Sequence, residues 1–119
     1  MATTHRIETD YGLLLQEWVI DETDTDPPLL VIGPCAAVEI QVMEMLSGTP
    51  TIGMEGSLSR EGDALVVWYR LRNALYTEIV LTAPGGHVSI NAPYMVRPRV
   101  VAGTGSARVR IKASRGGGV

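Results

Sequence analysis

The chain has 119 residues, 45% of them hydrophobic and 19% charged, with a formal net charge of −3. That length predicts one domain with one core, and the balance excludes a disordered chain. A sequence pI of about 5.3 argues against non-specific binding to DNA.

The first ten residues, MATTHRIETD, are polar apart from Met1 and Ile7, and 1–10 is expected to be an extended N-terminal arm lying over a neighbour. They lack the apolar run of a signal peptide, so synthesis is expected in a reducing cytoplasm. The longest apolar stretch, LLVIGPCAAVEI, is broken by Gly33 and Pro34 and is too short to span a bilayer, so no membrane partner is expected.

Over 11–114, apolar and polar residues alternate with the period of a strand. Strands are predicted near 12–20, 29–33, 37–46, 51–58, 64–71, 76–82, 86–91, 94–101 and 106–113. In AVEIQVM, Val38, Ile40 and Val42 share one face. In HVSIN, Val88 and Ile90 are expected to point inward. In SARVRIKAS, Ala107, Val109, Ile111 and Ala113 alternate with Arg108, Arg110 and Lys112. Turn chemistry at DPP, GP, SGTP, REGD, APGG, NAP and AGTGS separates these runs. The expected fold is all-β: an antiparallel β-sandwich, jelly-roll or immunoglobulin-like, of eight or nine short strands. The glycine-rich tail, 115–119, is expected to be flexible.

Candidate reaction centres are scarce. The acidic run DETDTD lacks the central Gly and terminal Glu of an EF-hand loop and reads as a solvated connection. His5, His87 and Cys35 have no paired spacing for zinc, and Cys35 is too solitary for a disulfide. A Cys35–His87 nucleophilic pair is the weaker alternative to small-residue packing around Cys35. The segments APGGH and GTGS lack the lysine and helix of a phosphate loop. No cofactor, metal or catalytic residue is therefore expected, and no enzyme.

Charge is distributed unevenly. Residues 1–60 hold two basic and ten acidic groups, whereas 61–119 hold eight basic and three acidic ones. Two readings follow: an interaction surface, or halves that neutralise one another within one fold. Arg97 and Arg99 share a strand face, as do Arg108, Arg110 and Lys112. If AGTG joins these strands as antiparallel neighbours, five cations form one interface patch. A protein partner suits it better than nucleic acid, because no aromatics interleave the row for base stacking. Replacing Arg97 and Arg110 by Glu is then expected to weaken assembly while the monomer stays folded. Trp68 and Tyr69 lie on opposite faces of one strand, one for the core and one a possible anchor.

The run VEIQVMEMLSGTPTIGMEGSLSREGDALVVWYRL resembles virion proteins of tailed bacteriophages, in which a Gly/Thr turn leads to an EGSLDG-like segment and a Trp-bearing strand. TAPGGHVSINAPYMVRPRVVAGTGSARVRIKAS is similar to the closing half of the same proteins, with a TAPG turn and a YIRPRV-like segment. The resemblance covers about 37–114, and GSLSREGDALVVW departs from the usual Asp-Gly-Thr-Asn turn. It implies a β-sandwich in a phage particle, foremost a capsid decoration or cement protein bridging subunits of the major capsid protein as a homo-oligomer, trimer or dimer. It transfers no catalytic residue. A tail or head–tail connector protein is an alternative. A carbohydrate-binding host-adhesion module is another, and would need Trp18, Trp68 or Tyr94 to face solvent along a groove.

Overall fold

The computed structural model of the chain describes residues 2–10, 13–33, 37–60, 62–91 and 93–114, with 5–10 described by their backbone alone. Ten strands run through them: β1 (Thr3–Asp10), β2 (Leu13–Asp21), β3 (Leu30–Val31), β4 (Ala37–Gly48), β5 (Thr51–Ser57), β6 (Tyr69–Arg70), β7 (Val80–Leu81), β8 (Gly85–Ser89), β9 (Met95–Ala102) and β10 (Gly105–Ser114). The first sheet has the order β1-β2-β10-β4-β8 and the second β3-β9-β5-β6, with β7 also pairing β5. Every named pairing is antiparallel. The fold class is thus the all-β sandwich that the alternation predicted. Because β2-β10-β4-β8 lies in one sheet and β3-β9-β5-β6 in the other, the chain crosses between layers in jelly-roll order.

The core lies between the layers. From the first sheet come Trp18 and Ile20, Val38, Ile40 and Val42, and Ala107, Val109, Ile111 and Ala113; from the second come Ile52, Met54, Val96 and Val100. With no phenylalanine in the sequence, Trp18 is the largest core side chain and is fully buried. Its indole Nε1 donates to Pro28 O at 2.8 Å, so burial leaves no orphaned donor. Ile111 sits on the central strand β10, opposite Ile40 and Gln16. We expect Ile111→Ala to cost about 2–5 kcal/mol in urea unfolding, because neighbours on both sides hold the cavity open.

Several expectations change. Residues 3–10, expected as an arm over a neighbour, are extended but pair with β2 of their own chain. The strand predicted over 64–71 shrinks to Tyr69–Arg70, since only Glu55 and Gly56 of β5 offer it partners. Val88 and Ile90 point outward, not inward, at 54% and 47% exposure. Their parity is set by β4, where Ile40 and Val38 are opposite His87 and Ser89, leaving Val88 beside Glu39 on the outer face. Finally, β9 and β10 are consecutive but belong to different sheets. The expected tail at 115–119, and Cys35, lie outside the described residues.

Candidate interaction surfaces

Because β9 and β10 occupy different layers, the five basic residues do not form one patch. Arg108, Arg110 and Lys112 line the outer face of the first sheet, each opposite an acid on a neighbouring strand: Arg108 opposite Glu44, Arg110 opposite Glu17, and Lys112 opposite Glu39. Arg110 Nε donates to Glu17 Oε2 at 2.9 Å. Arg108 lies 3.3 Å from Glu44 and 3.7 Å from Glu17, close enough for attraction, though its Nε has no aligned hydrogen bond. Lys112 Nζ is 3.5 Å from Glu39, with both side chains about half exposed. Such an exposed pair contributes at most about 1 kcal/mol. Glu17 is different: only 4% exposed, it lies in a sheet face within reach of two guanidiniums. A concavity of about 200 Å³ opens beside this ladder, lined by Leu15, Glu39, Gln41, Arg110 and Lys112.

Arg97 and Arg99 lie on the outer face of the second sheet, and Glu55 takes both. Arg97 Nε donates to Glu55 Oε1 at 2.9 Å, and Arg99 Nη1 reaches Glu55 Oε2 at 3.4 Å. Arg97 also donates to Asp26, and its guanidinium lies 4.0 Å from the ring centroid of Trp68. A desolvated guanidinium on an indole face gains about 2 kcal/mol. Two residues of the segment MEGSLSREGDALVVWYRL, Glu55 and Trp68, thus flank one buried cation. Tyr69 faces the other way, against the core, and burial holds its phenol above the ordinary value.

The acids of the first half therefore meet the cations of the second half inside one fold. The acidic connection after β2 has the same role locally. Asp24 accepts from the amides of Ala2 and Asp21, and Glu22 from that of Gly105. Thr23 donates to Asp21 through hydroxyl and amide, which lowers the Asp21 carboxyl below its ordinary value. Among the described residues, no group of three or more His, Cys, Asp or Glu could hold a metal ion. Nor does an open aromatic groove appear at the three expected positions. Trp18 is buried, Trp68 is covered by Arg97, and Tyr94 lies under Arg60 at 5.5 Å.

What sequence reading missed is the apolar surface flanking β6. Leu58, Leu65, Leu75 and Tyr76 are each more than 70% exposed, with Val67 at 59%. Leu58, Leu65 and Val67 precede β6, while Leu75 and Tyr76 sit at the tip of the following hairpin, where Tyr76 has φ of 63°. The apolar positions of LVVWY carried a strand signal, and only their failure to pair exposes them.

No family model matches the chain, and no curated protein matches it. Among solved structures it is similar to the SPBc2 prophage-derived protein YomS, at TM-score 0.51 and 12% identity, over 95% of this chain and 92% of that one. It is also similar to FeII HppE in complex with substrate, at TM-score 0.50 and 13% identity, over 94% of this chain. There it spans about half, 53%, of the longer protein. A weaker likeness, at TM-score 0.46 and 9% identity over 95% of each chain, is to a cupin domain of an XRE-family transcriptional regulator from Enterobacter cloacae. These likenesses are of fold. They correct one expectation: the lack of a visible acid, base or nucleophile grouping led to the exclusion of an enzyme, yet this architecture carries a substrate complex in FeII HppE. The exclusion of an enzyme is withdrawn.

Proposed function

We propose that this chain is a structural protein of a tailed-phage particle, and specifically a capsid decoration protein that docks on the major capsid protein. The carrying observation is the apolar set around β6, where four side chains above 70% exposure have no cover within the monomer. Apolar area of this kind is what a lasting protein contact removes from water. Two further observations support the reading. The likeness to the prophage-derived protein YomS runs along nearly the whole of both chains. The resemblance of 37–114 to virion proteins spans both halves of the sandwich. Arg99, Arg108, Arg110 and Lys112 stay partly exposed beside their acids and are suited to a polar rim that sets register. Arg97, 5% exposed, is not available to a partner.

The test is addition of the purified chain to undecorated capsids of its phage. We expect saturable binding and a raised shell melting temperature. Leu65→Glu with Leu75→Glu should abolish both without shifting the unfolding of the free protein. Glycan binding without capsid binding, or binding to isolated tails alone, overturns the decoration role.

A further inference from the structure

We propose that β8 is a pairing edge for a second copy of this chain, forming an antiparallel β8–β8 ladder centred on His87 that joins two first sheets into one. The four sheet edges are unequal. On the second sheet, β3, β6 and β7 are two residues long. On the first, β1 is interrupted by a bulge between Arg6 and Glu8, a device that prevents edge pairing. β8, with sequence GGHVS, is five residues long, has an unbroken register with β4, and holds no Asp, Glu, Lys, Arg or Pro.

Its open side can be read from the ladder. A Cβ at Gly86 would lie 3.1 Å from Ile40 O, so that carbonyl is directed at β8. Ile40 is opposite His87, and alternation turns the peptide groups of Gly86 and Val88 away from β4. The next residue in this alternation, Ile90, donates its amide to Arg72 O on that far side. The occupant must therefore be a strand, since it must answer amides and carbonyls at two-residue spacing.

A second copy answers them itself. With His87 opposite His87 of the second copy, Gly86 faces Val88 of that copy and the reverse, so each valine meets a residue without a side chain. All the outward groups of Gly86 and Val88 then find partners. Nothing charged on β8 opposes its own copy.

Sedimentation velocity of the free 119-residue chain tests this, without capsids, so its outcome is independent of the virion reading. The wild type should be a concentration-dependent dimer. Val88→Pro removes one amide per copy on the open side, and Val88→Lys places a charge there; both leave the β4 ladder intact. Each should raise the dissociation constant on the order of a hundredfold, with unchanged unfolding of the dilute monomer. In a Cys35→Ser background, His87→Cys should form an intermolecular disulfide on mild oxidation, because that pair brings side chains closest. A wild-type monomer at all concentrations overturns the proposal, as do Val88 variants that dimerise like wild type. Should both variants unfold, absence of the His87→Cys disulfide overturns it.

Discussion

Glu55→Ala should destabilise the monomer by about 3–5 kcal/mol, measured by urea unfolding of the free protein. The side chains of Arg97 and Glu55 are 6% and 9% exposed, and they oppose one another directly across β9 and β5. Truncating Glu55 leaves the buried guanidinium with Asp26, whose own side chain is 90% exposed and well hydrated, and with the face of Trp68. Neither replaces a desolvated carboxylate at 2.9 Å. Glu55→Gln keeps an acceptor and should lose less. Arg97→Glu brings a third carboxylate beside Glu55 and Asp26, and we expect it to unfold the chain. This reverses the expectation that Arg97→Glu acts on assembly alone, and Arg110→Glu, beside the buried Glu17, is reversed for the same reason. The apolar pair Arg97→Met with Glu55→Leu should fall close to wild type, since it removes both desolvation costs together. A Glu55→Ala protein within about 1 kcal/mol of wild type would show that water reaches the pair and that its burial carries no electrostatic weight.

Gly105→Ala should cost about 3–5 kcal/mol or prevent folding, read as loss of soluble protein or a fall in melting temperature. At this corner the chain leaves β9 in one sheet for β10 in the other, and the turn stacks on the β4–β5 connection. Gly105 is opposite Gly48, and Thr49 N donates to Thr104 O at 3.0 Å. An added Cβ at Gly105 would lie 2.1 Å from Ser47 O, a backbone atom held by the ladder, and the φ of +128° disfavours any L side chain. Gly62, at φ +82°, has nothing within 4 Å of an added Cβ. There Ala meets backbone strain without a clash, so it should cost only about 1–2 kcal/mol. Equal losses at the two sites would locate the effect in φ alone and remove the packing argument for this corner.

Both results turn on contacts between segments far apart in the chain, and that is where sequence reading failed. The local signals were legible. Val38, Ile40 and Val42, and the series from Ala107 to Ala113, point inward as their alternation requires. The turns at SGTP and AGTGS fall where the structure turns. The outcome differs for Val88 and Ile90, which alternate just as cleanly yet face out, because an edge strand takes its parity from the register of its one neighbour. AGTG reads as a hairpin link, but a link of that length also rounds a sandwich edge. Arg97 gave no sign of burial, since its partners are Glu55, 42 residues away, and Asp26, 71 away.

The amino-acid order alone thus determined that this is an all-β chain and where most of its strands lie, because side chains along a strand alternate by local geometry. Only the tertiary structure decided which strands share a sheet, which cations are sealed against acids, and which apolar side chains stay outside. Burial and pairing depend on residues brought together by the crossings between layers, and no local pattern records them.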